Sequence, residues 1–152
     1  RYESKLLNSY GHSVPVVAGK LQRTGADARA KVLRAAFSEN SDLLRLDIAS
    51  AYDCPELKKL ERRFLYSRVG TGALTVTDEV EFAAPQSFGT ALITMCEVKQ
   101  LDEKTLLLTN GNERLRIEID CGGLPFTIKL EQINEAFDAL SDAKVVRQVI
   151  TF

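Results

Sequence analysis

The 152-residue chain has one histidine, one methionine, four prolines and no tryptophan. A lone histidine, His12, excludes a centre built from two or three histidine ligands within the chain. The three cysteines, Cys54, Cys96 and Cys121, are an odd number at wide spacing. They form no CxxC pair, so neither a zinc knuckle nor a thioredoxin-type site is supported, and they read as small buried or half-buried thiols. No apolar run approaches the roughly 20 residues of a membrane span. Neither sign of charge dominates: twenty basic against twenty-one acidic residues leave a net charge of -1. That balance argues against a general electrostatic grip on nucleic acid or anionic membrane. The motifs GxSxG, GxxxxGKS/T and HExxH are all missing, and a hydrolase built wholly inside this chain finds no support. No signal peptide is visible. The chain starts at Arg1 rather than Met, which reads as a processed protein or an excised fragment and leaves localisation open.

What is present is an ordinary globular composition, 45% hydrophobic and 27% charged. A compact chain of this length buries roughly 68–70% of its unfolded surface, enough for a core without disulfide or metal. The dominant period is two. Leu115, Ile117 and Ile119 alternate with Arg114, Arg116, Glu118 and Asp120; Phe126, Ile128 and Leu130 alternate with Thr127, Lys129 and Glu131. Leu44, Leu46 and Ile48 alternate with Arg45 and Asp47, and Leu74, Val76, Val80 and Phe82 share one phase against Thr75, Thr77, Glu79 and Glu81. Each pattern is that of a strand with one buried and one wet face. Leu60–Val69, Ala91–Val98, Lys104–Leu108 and Val145–Phe152 are further strand candidates. Ala26–Phe37 suits a helix by propensity, but Ala28, Ala30, Val32, Arg34 and Ala36 share a period of two, which favours a strand. Glu131–Leu140 has Ile133, Phe137 and Leu140 at helical spacing, so a short helix or loop turn fits there. Asn110-Gly111 between apolar arms is the best hairpin signal. The fold expected is a single all-β domain over residues 1–152, an antiparallel β-sandwich, with the first dozen residues able to reach away from it.

The most chemically loaded stretch is Asn8-Ser9-Tyr10-Gly11-His12-Ser13-Val14-Pro15. It sets a phenol and an imidazole within three residues, next to a glycine that permits an unusual backbone angle. Pro15, which cannot donate to a ladder, belongs at a strand start or edge, so His12 sits at the mouth of a strand. Unperturbed imidazole titrates near ~6.5 and can donate, accept or carry charge; the bland alternative is a hydrogen-bonded or solvated loop histidine. Ser13 to Gly25 reads as a hairpin followed by a polar turn, on which Lys20 and Arg23 are either solvated or available to an anion. Asp47, on the polar phase of its strand, is either surface charge or a carboxylate for an imidazole or a metal. Asp78 falls on the apolar phase between Val76 and Val80, and a buried carboxylate must be paired. Arg62 and Arg63 are its nearest partners across Gly70–Gly72, and Arg63–Asp78 is taken as the structural pair.

The stretch Asn-Ser-Tyr-Gly-His-Ser-Val-Pro-Val-Val, with Gln22 and Gly25 after a glycine-bearing turn, resembles the start of the C-terminal β-domain of heparinase II/III-like polysaccharide lyases. The likeness runs on through Leu46–Tyr52, Glu61–Tyr66 and Leu74–Val80, covering about the first half of the chain; the rest matches only in strand rhythm. The resemblance implies a large antiparallel β-sandwich packed on an N-terminal α/α toroid, which these residues do not include, with the active site between them. It implies β-elimination on a uronic-acid residue of an acidic polysaccharide: a base removes the proton beside the carboxylate, a neutralising group stabilises the enolate-like charge, and an acid protonates the leaving oxygen. His12 matches the β-domain histidine that completes such a site, with Asn8, Tyr10, Lys20 and Arg23 as substrate-binding candidates. Some members carry a structural zinc held by histidines and an aspartate. Asp47 is the one position that fits, its supporting histidines are missing, and no cofactor is required. Most of the family is periplasmic or secreted. The competing readings are a non-catalytic carbohydrate-binding or scaffolding sandwich, against which the missing tryptophan counts, and an interface domain, of which an uncovered apolar patch would be the sign.

Overall fold

Alternating apolar and polar residues favour an extended chain with one face inward and one in water, and the computed structural model sets eleven strands among the described residues. It describes residues 4–5, 7–132 and 146–151. The strands are β1 (Pro15–Val17), β2 (Lys31–Phe37), β3 (Ser41–Asp47), β4 (Leu57–Ser67), β5 (Ala73–Phe82), β6 (Phe88–Thr94), β7 (Glu97–Gln100), β8 (Thr105–Asn110), β9 (Glu113–Glu118), β10 (Thr127–Gln132) and β11 (Val146–Thr151). Every pairing among them is antiparallel. Two short 3-10 turns, Ser9–Gly11 and Ala49–Ala51, complete the regular structure of the described residues. The chain is all-β, and it forms two compact units: Arg1–Gly19 with Ser87–Phe152, and Lys20–Gln86.

The first unit holds two sheets, ordered β1-β6-β11-β10 and β7-β8-β9. They share one core. Leu106 and Leu108 of β8 meet Ile119 and Ile150, with Leu92, Val98, Ile117 and Ile128 packed around them. This is a sandwich, to which the alternation in β9 and β10 contributes Ile117 and Ile128. The Asn110-Gly111 signal makes the β8–β9 hairpin, closed by Asn110 opposite Glu113. Gly111 takes φ 58° as the first central residue while Asn112 stays out of the left-handed region, the pattern of a type II′ turn. The expected continuous strand Ala91–Val98 is instead two strands in different sheets. The chain bends at Met95-Cys96, where the Cys96 amide donates to Thr94 Oγ1 at 3.0 Å, and so crosses from β6 to β7.

The second unit is a meander, β2-β3-β4-β5. Ile48, Leu60, Leu46, Leu44, Phe64, Val76 and Val80 share one face by register; Asp47, Glu61, Glu79, Arg45, Arg63 and Thr77 share the other. The apolar face is covered at one end only. The second 3-10 turn packs on β4 there, and Leu60 is fully buried with Ile48, Ala51, Tyr52 and Cys54 close behind. Burial of a leucine of this kind stabilises by about 1.5–3 kcal/mol. At the other end Phe37 stays 75% exposed and Leu74 59%, and on the edge strand β2 Val32 stays 60% exposed.

Three expectations are corrected here. Ser13–Gly25 is not a hairpin: β1 pairs with β6, Pro15 opposite Thr90, because β1 fills the edge of a sheet whose other strands come from late in the chain. The strand in Ala26–Phe37 begins only at Lys31, and its period-two phase breaks. A bulge between Val32 and Arg34 adds one residue, so Val32, Ala35 and Phe37 share the apolar face while Arg34 and Ala36 turn to the other. Finally, Asp78 pairs with Arg62, not Arg63. Register sets Arg62 directly opposite Asp78 on the same face, whereas Arg63 lies opposite Thr77 on the wet face. The helix or turn expected over Glu131–Leu140 falls, after Gln132, outside the described residues, as do Val145 and Phe152 at the ends of β11.

Candidate functional site

The stretch around His12 is fixed before it reaches β1. Asn8 caps the first 3-10 turn, its Oδ1 accepting from the Tyr10 amide at 2.9 Å. The His12 amide donates to the Ser9 carbonyl at 3.4 Å, and the Val14 amide donates back to the His12 carbonyl at 2.9 Å. Ser13 Oγ accepts from the Ile93 amide at 3.0 Å, which docks the segment on β6. Pro15 begins β1, an edge strand, as a residue without an amide donor must. The result is an exposed imidazole on a backbone held from both sides, and among the described residues nothing hydrogen-bonds that imidazole. Gly11 needs no unusual angle, since it lies in the right-handed turn. The left-handed residues are Ala18 at φ 51° and Gly19 at φ 70°, just after β1.

Tyr10 is not a loose phenol. Its hydroxyl donates to Glu131 Oε2 at 2.8 Å, and Glu131 also pairs with Lys129 at 2.7 Å. The Lys5 ammonium sits 5.8 Å from the Tyr10 ring centroid, within cation–π reach. Glu131, Lys129 and Lys5 therefore gather around Tyr10, two residues before His12 in the chain. Sequence reasoning missed Glu131 because it lies 121 residues from Tyr10, and its own context reads only as the wet phase of a strand. Chemically the group offers an open imidazole, a phenol oriented by a carboxylate, and two ammonium groups. An open groove of the same unit, lined by Gln100, Lys104, Leu124, Phe126 and Ile128, contains none of the residues singled out from the sequence.

The remaining candidates lie in the second unit, and their polar groups serve its own loop. Lys20 Nζ donates to the Asp53 carbonyl at 2.8 Å. Arg23 donates from Nε to the Ser50 carbonyl at 2.8 Å and from Nη2 to Asp27 at 2.7 Å. The hydrogen bond between Arg23 and Asp27 raises the guanidinium pKa and lowers the carboxyl's. Asp47 accepts from the Ala49 amide at 3.0 Å and so starts the second 3-10 turn. No group of three or more His, Cys, Asp or Glu able to hold a metal ion occurs among the described residues. The acidic neighbours of Asp47 in register are Glu61 and then Glu79, both engaged by Arg45, a donor set that does not fit the histidine-bearing tetrahedral zinc site that the resemblance implied.

A buried polar cluster lies beneath. Arg62 donates from Nε and Nη2 to both oxygens of Asp78 at 2.6 Å, a bidentate pair only 7% and 10% exposed. Tyr52 lies beside it and accepts from Gln22 Nε2 at 3.3 Å. Burial pushes the Tyr52 phenol up to about 12, against the smaller lowering effects of Gln22 and Arg62. This cluster is enclosed and paired, and we read it as structural.

No family model matches the chain, and no curated protein matches it either.

Proposed function

We propose that these residues are the β-domain of a heparinase II/III-like polysaccharide lyase, furnishing one wall of a cleft in which an acidic polysaccharide is cut by β-elimination. The observation that carries this reading is the presentation of His12: an exposed imidazole, without a protein partner among the described residues, on a backbone pinned by the capped turn before it and the Ser13–Ile93 bond after it. Rigid placement of an open acid–base group is what proton transfer at a substrate requires. In the reaction a base takes the proton next to the uronate carboxylate. The electron pair left behind forms the carbon–carbon double bond as the neighbouring carbon–oxygen bond breaks, and an acid protonates the departing oxygen. His12 holds the uronate or passes one of these protons, and Glu131 orients Tyr10 beside it. The all-β, sandwich-containing architecture supports the reading at the level of fold alone.

The test is ultraviolet detection of unsaturated uronate from heparan-type, chondroitin-type and alginate substrates, using the full-length natural protein and its His12→Ala variant. The expected result is product from the parent and at least a ~100-fold loss of turnover in the variant, the usual scale for removing an acid–base group. Retained turnover in the variant would remove His12 from the chemistry. No product on any substrate would favour the second reading, a non-catalytic scaffolding domain. One observation favours that alternative: the apolar face of the second unit's sheet is left open at Phe37 and Leu74 at one end and at Val32 on the edge strand.

A further inference from the structure

The bulge at Leu33 has a specific effect on charge. In regular register Leu33 would lie opposite Arg45, and Arg34 would join the apolar face. The extra residue instead sets Arg34 opposite Arg45, which is itself opposite Arg63. Three arginines thus lie side by side across β2, β3 and β4, one strand spacing of about 4.8 Å apart. Like charges directly opposite destabilise a sheet. Among the described residues only the middle one forms salt bridges: Arg45 pairs with Glu61 and Glu79. Glu79 is further held by Lys59 at 2.6 Å, a hydrogen bond that lowers its pKa. Asp47, in the same flanking row, is engaged by the Ala49 amide. Arg63 has one polar contact, Thr77 Oγ1 at 3.3 Å, and Arg34 and Lys31 have none among the described residues. All three are exposed. Lys31 stands opposite Asp47 in register and Arg63 feels the charge of Glu79, but among the described residues neither they nor Arg34 closes a salt bridge, so the edge strand has given up ladder regularity to line up guanidiniums left open to solvent.

We propose that this wet face of β2–β4 is a second binding surface for an acidic polysaccharide, with Arg34 and Arg63 gripping carboxylate or sulfate groups on either side of the neutralised Arg45, and Lys31 beside them. The guanidinium fork suits such planar or tetrahedral anions. The spacing and setting decide the class of polyanion. Duplex nucleic acid carries a charge about every 1.7 Å and needs a dense basic field. This face has guanidiniums outside any salt bridge two strands apart, with Glu61 and Glu79 in the neighbouring row, in a chain of pI 5.9. A polymer bearing one anion per sugar or so fits that sparse pattern. The choice of a polysaccharide also rests on the lyase reading, but the surface belongs to the second unit and does not use His12.

The experiment measures binding of the chain to alginate, to neutral dextran and to duplex DNA by calorimetry at low salt. It is repeated with the double variant Arg34→Gln/Arg63→Gln and with Arg116→Gln, an exposed arginine paired with Glu118, as control. Circular dichroism confirms the fold of each. The expected result is alginate binding without dextran or comparable DNA binding, weakened roughly tenfold or more in the double variant and unchanged in the control. Alginate binding untouched by the double variant, no alginate binding, or DNA bound as tightly as alginate would each overturn the proposal. Elimination that depends on His12, in a protein whose double variant binds normally, would overturn this surface and leave the lyase reading standing. The converse result would do the opposite.

Discussion

Tyr52 shows how one residue's surroundings become a measurable pH dependence. Its phenol is buried beside Arg62 and Asp78, and desolvation raises its pKa from 10.0 to about 12. A group whose pKa is raised by folding contributes stability that is complete below its unfolded value and is lost as pH climbs through the folded one. Alkaline unfolding should therefore set in between pH 10 and about 12. Tyr52→Phe should flatten that part of the stability curve. In an absorbance titration of the four tyrosines, the late-ionising component should vanish in the variant. If that component remains, Tyr52 is not the buried phenol. The neighbouring ion pair marks the boundary of what a sequence can disclose at this scale. That Asp78 must be buried and paired was legible from its place between Val76 and Val80. That the partner is Arg62 was not, because Arg62 and Arg63 differ only in which face of β4 they occupy, and that is set by register with β5. His12 was legible as an exposed group at a strand mouth. Glu131, which orients its neighbour Tyr10, was not, since nothing local connects positions 121 residues apart.

At the scale of elements, period two was legible wherever a strand has one wet face, as in β3, β5, β9 and β10. It failed where geometry departs from a regular ladder. The bulge at Leu33 shifted the phase of β2, and the bend at Met95-Cys96 divided one apolar run between two sheets. Neither event has a glycine or proline to announce it. The turn after β1 is a third case. Ala18 occupies the left-handed region at φ 51°, a conformation that costs a residue with a Cβ and suits glycine. It is held there by its amide, which donates to the Ser87 carbonyl at 2.8 Å. Ala18→Gly should thus raise stability by up to about 1 kcal/mol, the relief of strain being partly offset by a more flexible unfolded chain. Denaturant unfolding is the check, and a destabilised variant would show that the strain reading of this turn is mistaken.

At the scale of the whole molecule, β1 and β6 are antiparallel neighbours, yet the entire second unit lies between them in sequence. The second unit is continuous in the chain; the first is split around it. Closing a long flexible segment costs entropy that grows with the logarithm of its length, so a folded insert makes β1 and β6 easier to bring together. Arg62→Ala would leave Asp78 buried without its partner, at about 3–5 kcal/mol to the second unit. The expected outcome is slower protection of the β1 and β6 amides in pulse-labelled hydrogen exchange during refolding, with β8 and β9 less affected. Equal rates in the variant and the parent would mean that the first unit assembles without help from the second. The single-domain cadence read from the sequence could not reveal this division, because strand spacing is the same on both sides of the two junctions. The junctions themselves are brought together by the Ala18–Ser87 hydrogen bond, so the chain leaves and re-enters the first unit at one point. In genetic terms, residues 20–86 are a cassette: a short splice joining Ala18 to Ser87 would delete it, and an unrelated module with adjacent termini could take its place.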